Sequence, residues 1–213
     1  IAFNNLYLNK EIMDTQKELI FSLGEVIESR SKETSFHIHR VSQYVVLMAT
    51  KLGIDAETID VLRIASIMHD IGKVGIADDI LLKPGKLTDE EFELMKTHTL
   101  VGYEILKASD RPVFKKAAEI ALYHHERWDG KWYPKRLKGQ DIPISARITS
   151  VIDVYDALSM DRVYRKAWEP DRIFEYLKLE SAKAFDPEIV DVFLQNKKEV
   201  LKINKKTEFD KDL

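Results

Sequence analysis

Residues 64–73 most constrain what this chain can fold into, because an apolar run ends there in His69 and Asp70 and is followed by Gly72 and Lys73. Taken alone, the stretch fits an ordinary helix end, at which Gly72 adopts the left-handed conformation and Lys73 faces the negative end of the helix dipole. It fits equally well one part of a polar site to which His69 and Asp70 contribute side chains. The positions of the other histidines favour the second interpretation.

Five of the six histidines and three carboxylates lie at an end or on one face of segments with a helical hydrophobic period, so they can converge on one point. Glu33 and His37 are four residues apart and share a helix face, whereas His39 lies about 200° round the same helix and is left out. Asp153 lies inside an apolar helix, where burial without a cation costs on the order of several kcal/mol. The candidate metal ligands are Glu33, His37, His69, Asp70, His98, His124, His125 and Asp153.

The chemistry of these side chains limits which metals fit. The chain has no cysteine, so it has neither a thiolate zinc site nor a disulfide framework, and any metal must bind nitrogen and oxygen atoms. Imidazoles mixed with carboxylates suit iron or manganese and can also bind zinc, and this set is large enough for two or three octahedral ions. The carboxylate of Asp70 has two oxygens and can bridge two ions.

Hydrophobic periodicity predicts an all-α fold. Helical patterns cover most of the chain, interrupted by loops at residues 74–87 and 127–143, and no convincing pair of strands is found. Thr88 and Glu91 form a predicted capping box for one long helix, residues 88–107. We therefore expect a bundle of helices preceded by a long N-terminal helix.

Composition and the two chain ends predict how the chain is divided into domains, and they argue against duplex nucleic acid and membrane as partners. We expect a linker or coiled helix at 1–30, the main domain at 31–197 and a charged tail at 198–213. The net charge of -3 argues against coating of duplex nucleic acid. No segment approaches the roughly 18 apolar residues of a membrane span. The absence of a signal pattern and of cysteine predicts a cytoplasmic location. Because the chain starts at Ile1 without an initiator methionine, we expect a fragment of a longer protein.

Long strings of residues across 33–193 occur in the order and spacing of one known family. They include His69-Asp70-Ile71-Gly72-Lys73, Lys83-Pro84-Gly85-Lys86-Leu87-Thr88, His124-His125-Glu126-Arg127-Trp128-Asp129-Gly130 and Asp153-Val154-Tyr155-Asp156-Ala157-Leu158. In these strings the chain resembles the HD-GYP family, bacterial phosphodiesterases of the second messenger cyclic di-GMP within the wider HD superfamily. The resemblance implies an all-α HD-superfamily bundle with a metal-dependent hydrolase site.

The resemblance also implies roles for individual residues. The eight candidate ligands fall on the family's metal ligands, and Glu33 falls on the glutamate of members that hold a third metal. Lys73 falls on the lysine after the HD pair, whereas Arg162 and Arg165 fall on basic positions near the substrate phosphates. The further predicted substrate contacts are Arg147, Trp132 and Tyr133.

The expected reaction is metal-assisted hydrolysis of a phosphodiester in cyclic di-GMP, which gives the linear dinucleotide pGpG and leaves a second cut to GMP open. Asp70 would bridge two ions that hold a hydroxide in line with phosphorus. Lys73 would stabilise the phosphate charge in the transition state. Three ligand carboxylates against two or three divalent ions leave a positive surplus for a dianionic substrate.

The chain departs from the family in the loop that gives the family its name. The family's Gly-Tyr-Pro is replaced by Trp132-Tyr133-Pro134. If position 132 requires a positive φ, a tryptophan there costs about 1–2 kcal/mol, so we expect the loop to take another path. The ring of Trp132 can either stack on a guanine or pack against the core. Glycine is also replaced at Ser35, Arg136 and Ala182.

Two alternative functions remain open. One is another enzyme of the HD superfamily, which acts on a nucleoside phosphate or on cyclic GMP-AMP, since the same ligands serve all of these. The other is a non-catalytic receptor that binds the dinucleotide, or only a partner protein. Besides cyclic di-GMP, the expected partners are an upstream sensor or receiver domain, a cyclase domain, and a second copy of the chain. The second copy would pair through Leu19, Leu23, Val26 and Ile27 of the first helix.

Overall fold

The computed structural model describes residues 2–31, 36–161 and 166–209. The prediction of an all-α fold is confirmed, since this part of the chain forms helices and short 3₁₀ segments and no β-strand. None of the described helices is long and apolar enough to cross a membrane. The helices are α1 (Ala2–Arg30), α2 (Phe36–Lys51), α3 (Ala56–Ala65), α4 (Asp78–Leu81), α5 (Asp89–Lys96), α6 (His98–Leu106), α7 (Pro112–Tyr123), α8 (Ile144–Ser159), α9 (Pro170–Leu179), α10 (Pro187–Gln195) and α11 (Lys197–Phe209).

One helix expected from the sequence is divided in two. The capping box of Thr88 and Glu91 is present and starts α5, but the helix ends at Lys96, and α6 begins at His98. At this junction Thr97 donates its hydroxyl to the carbonyl of Leu94, at 2.6 Å, and the His98 ring contacts the carbonyl of Met95, at 2.7 Å. Side chains that take over backbone carbonyls compete with the helical ladder. The division therefore has a local cause, and it places His98 in the first turn of α6.

The hydrophobic core lies between α2, α3, α7 and α8, which pack against one another in pairs. Its centre is filled by fully buried side chains such as Tyr44, Met48, Ile120, Ile148 and Tyr155. Helices α9 and α10 cover the far side, and α11, in the predicted tail, packs on α2. His37 lies in the first turn of α2, and His124 directly follows the last residue of α7. Asp153 lies in the interior of α8, and His69 and Asp70 lie in a turn beyond the end of α3.

Gly72 has a different role from the one that a helix end predicts. Its φ is not positive, and the backbone after Asp70 continues as a 3₁₀ segment, Ile71–Gly75. A Cβ atom at Gly72 would lie 1.8 Å from the carbonyl oxygen of His98 and 2.5 Å from the amide nitrogen of Gly102. Only glycine permits this close approach. Gly72 therefore lets the segment after Asp70 lie against the first turn of α6.

Backbone strain is found at two of the replaced glycines and not at Trp132. The non-glycine residues with positive φ in the described ranges are Arg136, at 58°, and Ala182, at 62°. Trp132 has no positive φ, so it carries none of the strain that was considered for this position. A loop path that differs from that of the family stays a prediction. Both strained residues are exposed, so their side chains add no packing that offsets the strain.

We expect Ala182→Gly to raise the free energy of unfolding by about 1 kcal/mol, because glycine adopts a positive φ without the cost that an L residue pays. Urea denaturation of the two proteins measures the difference. The same substitution at Ala117, in the middle of α7, should instead lower the free energy of unfolding by about 1 kcal/mol or more. A loss of stability at both positions would contradict the strain at Ala182.

Candidate metal centre

The backbone between α3 and the 3₁₀ segment Ile71–Gly75 brings two adjacent polar side chains into the same cleft. The regular helix ends at Ala65 and tightens into a 3₁₀ segment, Ser66–Met68, so His69 and Asp70 do not splay as they would on a continuous α-helix. His69 is fully buried and Asp70 is 7% exposed. Two residues that the sequence places side by side thus contribute to one site.

Hydrogen bonds fix the orientation of four of the predicted histidine ligands. The Nδ1 atom contacts a backbone carbonyl oxygen in three of them: Ser66 for His69 at 2.8 Å, Met95 for His98 at 2.7 Å and Ile120 for His124 at 3.0 Å. A carbonyl oxygen only accepts, so each Nδ1 carries the proton and donates. In a neutral ring the Nε2 atom is then an unprotonated ligand. This arrangement is typical of histidines that bind metal ions.

The fourth histidine is oriented by a carboxylate. His37, on α2, donates Nδ1 to Asp156 of α8, at 2.7 Å. Asp156 is itself held by two hydrogen bonds from Arg40, at 2.5 and 2.8 Å. All three side chains are buried. The Nε2 atom of His37 therefore points to the same centre as those of the other three rings.

The ligand atoms form two adjacent groups. In the first, Asp70, His98, His124 and His125 each place one ligand atom within 4.8 Å of the others. In the second, Glu28, His37 and His69 do the same. Bonds of about 2.1 Å put two ligand atoms of one ion up to about 4.2 Å apart, so small side-chain shifts bring either group to bonding distance.

Asp70 faces both groups. Its Oδ1 atom lies 3.3 Å from Nε2 of His98 and 3.7 Å from Nε2 of His124, whereas its Oδ2 atom lies 3.4 Å from Nε2 of His69. Asp153 adds a second carboxylate on the side of His37 and His69, at 3.7 and 3.9 Å from their Nε2 atoms. One carboxylate with an oxygen directed to each group has the geometry needed to bridge two ions.

The buried ligand atoms fit a bound cation. The Nε2 atoms of His37, His69, His98 and His124 and the Oδ1 atom of Asp70 are buried and have no hydrogen-bond partner among the described residues. Burying such groups without a partner costs free energy. A divalent ion would satisfy all of them together, so the donor set and its surroundings fit a metal centre.

Electrostatics differ between the two groups. Burial opposes a charge on His69, but the carboxylates of Asp70 and Asp153 outweigh it and raise the pKa of His69 to about 10. Burial together with the rings of His69 and His98 lowers the pKa of His124 to about 3, and burial also lowers the pKa of His125. His124 and His125 are therefore neutral imidazoles, while the surroundings of His69 carry an excess of negative charge that attracts a cation.

Comparison with known proteins identifies the family. The sequence model described as "HD domain" matches residues 15–189. The chain belongs to the HD-domain family. The turn between the two 3₁₀ segments carries His69 and Asp70, the residue pair from which the HD domain takes its name.

Relatives of this HD domain are named phosphodiesterases. The chain is 42% identical over 203 residues to a "3'3'-cGAMP-specific phosphodiesterase 2" of Vibrio cholerae, covering 95% of the chain and 39% of the relative. It is 40% identical to a "Cyclic di-GMP phosphodiesterase" of Thermotoga maritima, covering 95% of the chain and 56% of the relative. It is also 40% identical to "Cyclic di-GMP phosphodiesterase response regulator RpfG" of Xanthomonas campestris, covering 91% and 51%. The chain thus spans about two fifths to just over half the length of these curated relatives.

Solved structures share the fold. The crystal structure of a cyclic GMP-AMP specific phosphodiesterase of V. cholerae, V-cGAP3, superposes with a TM-score of 0.66 at 18% identity, over 84% of this chain and 48% of that chain. Bd1817 of Bdellovibrio bacteriovorus, titled an HDG"Y"P protein, superposes with a TM-score of 0.57 at 20% identity, over 75% and 50%. With the relatives' names, these matches confirm the resemblance that the motifs indicated.

The HD domain has a cleft beside the ligand groups. Its volume is about 770 Å³, and its wall runs from His125 and Asp153 past Trp132 to the exposed ammonium groups of Lys131 and Lys183. The loop that carries Trp132 is held by Glu126, which accepts backbone hydrogen bonds from residues 135 and 137 at 2.6 and 3.1 Å. The lining also includes Glu126, Arg127 and Asp129, so imidazoles, carboxylates and cations share this cleft. The cations can bind an anionic substrate.

The predicted substrate contacts lie in different surroundings. Lys73 places its Nζ atom 2.7 Å from Oδ2 of Asp70, and the ring of Tyr133 lies 5.0 Å from that of His125. Trp132 is 43% exposed, so its ring is not packed into the core. Arg147 contacts Asp186 and the carbonyl of Ile142, a structural role that leaves it outside the cleft lining. Glu33, Arg162 and Arg165 lie outside the described residues.

Sequence reasoning missed two contributions to the centre. Glu28 of α1 is 2% exposed and belongs to the second ligand group. Its signal was available, because a carboxylate follows Ile20, Gly24 and Ile27 on the face of α1 that the periodicity marks as apolar. Asp156 lies one helical turn after Asp153 and so shares its face. Its pairing with Arg40 joins residues that are far apart in the sequence, and no local pattern predicts it.

Proposed function

We propose that this HD domain is a metal-dependent phosphodiesterase that hydrolyses cyclic di-GMP to the linear dinucleotide pGpG. The observation that carries the proposal is Asp70, whose two oxygens face two ligand groups beside a cleft with exposed cations. Relatives with about 40% identity named cyclic di-GMP phosphodiesterases support the substrate.

The proposed ligands are those predicted from the sequence, with iron or manganese as the metal and two or three ions per chain. Mixed imidazole and carboxylate donors favour these metals over calcium or magnesium, which prefer oxygen alone. His98, His124 and His125 with Asp70 would hold one ion, and His37 and His69 with Asp153 another. Glu33 remains the proposed ligand of a third.

In the reaction, the residues of the chain position and neutralise the phosphate. Divalent ions held by the proposed ligands would supply Lewis-acid charge and a hydroxide at neutral pH. Lys73 lies against Asp70 and would compensate the charge that grows on the phosphate oxygens in the transition state. Tyr133, beside His125, would border the reacting phosphate. Lys131 and Lys183 would bind the second phosphate of the dinucleotide, and we assign Arg162 and Arg165 the same kind of task.

The test is a turnover assay on protein purified and loaded with Fe²⁺ or Mn²⁺ without air. Cyclic di-GMP, cyclic GMP-AMP and a nucleoside monophosphate are offered separately, and the products are separated by chromatography. We expect cyclic di-GMP to be converted to pGpG, and the appearance of GMP would show a second cut. Binding of cyclic di-GMP without any product would contradict the enzyme and favour a receptor.

Cyclic GMP-AMP is the second candidate substrate. The observation that favours it is the 42% identity with a relative whose name specifies this dinucleotide. The residues that would bind the ions are common to both reactions, so the choice depends on the base contacts in the cleft. A higher kcat/KM for cyclic GMP-AMP than for cyclic di-GMP in the same assay would replace the first candidate with the second.

We expect Trp132→Ala to weaken the binding of cyclic di-GMP by about 5- to 150-fold, because stacking of a base on an aromatic ring contributes about 1–3 kcal/mol. Trp132 is exposed and its ring lies next to those of Phe92 and Tyr133, so a base can reach it. The measurements are the KM for cyclic di-GMP and the dissociation constant of cyclic di-GMP from a direct binding experiment. Leu94→Ala, an exposed apolar residue of α5, is the control. Unchanged affinity in Trp132→Ala would end the stacking hypothesis.

The partners of the longer protein are also proposals. An upstream sensor or receiver domain is supported by the greater length of the relatives, one of which is named a response regulator. A homodimer through α1 is supported by Ile12, Leu19 and Val26, which are exposed at a spacing of seven residues. A cyclase domain that contacts the loop at Trp132, a cytoplasmic location and the division at 1–30, 31–197 and 198–213 remain predictions.

A further inference from the structure

The long N-terminal helix reaches the metal centre. Glu28 lies in the last turn of α1, is 2% exposed, and places a carboxylate oxygen within 4.8 Å of one nitrogen each of His37 and His69. Those two histidines come from α2 and from the turn after α3. Three separate elements therefore contribute one donor each to the second ligand group.

Close packing holds α1 against the segment that carries the HD pair. A Cβ atom at Gly24 would lie 2.7 Å from the side chain of Ile67 and 3.1 Å from that of Ile38. Glycine at this position lets the backbone of α1 approach the 3₁₀ segment Ser66–Met68. Since Gly24 and Glu28 are one turn apart on the same face, this approach also carries Glu28 to the ligand groups.

A second anchor lies two residues beyond Glu28. The guanidinium of Arg30 donates hydrogen bonds of 3.2 Å to the carbonyls of Lys73, Val74 and Ile76, and it pairs with Asp78 at 2.7 Å. Arg30 thus fastens the end of α1 to the 3₁₀ segment that carries Lys73. The contacts of Gly24 before Glu28 and of Arg30 after it together fix the position of Glu28.

The donor chemistry of the second group also calls for another anion. In the first group four residues have ligand atoms within 4.8 Å of one another, whereas in the second group only two imidazoles and Glu28 do. Asp153 lies 3.7 and 3.9 Å from the same two imidazoles. Two imidazoles with two carboxylates form a nitrogen and oxygen set that binds iron or manganese.

We propose that Glu28 is a metal ligand of the second group, so that α1 forms part of the metal centre. The inference rests on the proposed metal-dependent function and adds a ligand from outside the predicted domain at 31–197. It follows that the position of α1 controls the occupancy of this site. A shift of α1 by one residue along its axis, about 1.5 Å, would carry the carboxylate out of bonding distance.

An apolar cavity of about 240 Å³ lies between α1 and the rest of the domain. Ile20, Leu23 and Ile27 line it from α1, and Glu28 and Asp70 form part of its wall.

The experiment compares Glu28→Gln with Glu33→Gln and with Glu25→Gln as a matched control. Glu25 is one turn before Glu28 on α1, and it pairs with His39, away from the ligand groups. Metal content is measured by elemental analysis after anaerobic loading, and Mn²⁺ affinity by titration followed by electron paramagnetic resonance. Thermal unfolding of the metal-free proteins checks that each variant folds.

We expect Glu28→Gln to weaken the affinity for one ion per chain by at least about 10- to 100-fold, as loss of a supporting ligand contact does elsewhere, while Glu25→Gln keeps the content and affinity of the parent protein. Glu28→Gln with an unchanged ion count and affinity would overturn the assignment. Loss of an ion in Glu28→Gln from a protein that hydrolyses no cyclic dinucleotide would support the ligand and refute only the proposed substrate.

Discussion

Asp70→Asn is expected to reduce the turnover of cyclic di-GMP by at least about 10³-fold, which corresponds to about 4 kcal/mol of transition-state stabilisation. Asp70 directs one oxygen to His98 and His124 and the other to His69. Asparagine keeps the shape but is neutral and offers a single oxygen acceptor. The variant would lose both the bridge and the negative charge that holds two divalent ions together.

Steady-state kinetics and metal analysis of the same preparation measure this effect. Asp60→Asn makes the same chemical change on α3 at a side chain that is 74% exposed, and it should leave both quantities unchanged. If Asp70→Asn retained the rate and the metal content of the parent protein, the bridging role would be wrong. Loss of rate with full metal content would place Asp70 in the reaction but not in the assembly of the centre.

Asp156→Ala is expected to lower the free energy of unfolding by about 3–5 kcal/mol, because removing one partner of a buried ion pair leaves the other charge uncompensated. Asp156 and Arg40 are each 1% exposed and share two hydrogen bonds. Attraction to Arg40 and His37 outweighs burial and lowers the pKa of Asp156, so the carboxylate is charged. The substitution also removes the acceptor that orients His37.

Urea denaturation of the metal-free protein measures this loss. The double variant Arg40→Met with Asp156→Leu removes both charges together, and it should be more stable than Asp156→Ala. It should still bind metal more weakly than the parent protein, since His37 lacks its acceptor. A loss below about 1 kcal/mol in the single variant would contradict the buried pair.

Much of the candidate site was predictable because its residues have few other uses in an apolar helix. His69 beside Asp70, the couple of His124 and His125, and Asp153 each occupy a position where a structural explanation is weak. The structure brings these five residues to one place. The family resemblance added specific roles, for Lys73 as the lysine after the HD pair and for Glu33 as the ligand of a third metal, and no hydrophobic pattern indicates either role.

The course of the loop at Trp132 was only partly predictable. The resemblance gave four positions at which glycine is replaced, Ser35, Trp132, Arg136 and Ala182, but the sequence did not show which of them has a positive φ. The structure places it at Arg136 and Ala182. A backbone angle depends on the path between fixed ends, here the hydrogen bonds of Glu126 and of the segment 183–184, and this path is a tertiary property.

By itself, the sequence determined the helical class, the HD-domain family and the chemistry of the candidate ligands, because periodicity and residue type are local properties. Only the tertiary structure decided which atoms face one another. It assigned the two oxygens of Asp70 to separate groups, it gave Gly72 the role of a close contact with α6, and it brought Glu28 of α1 beside His37 and His69. These features depend on distances between segments far apart along the chain, and packing sets those distances.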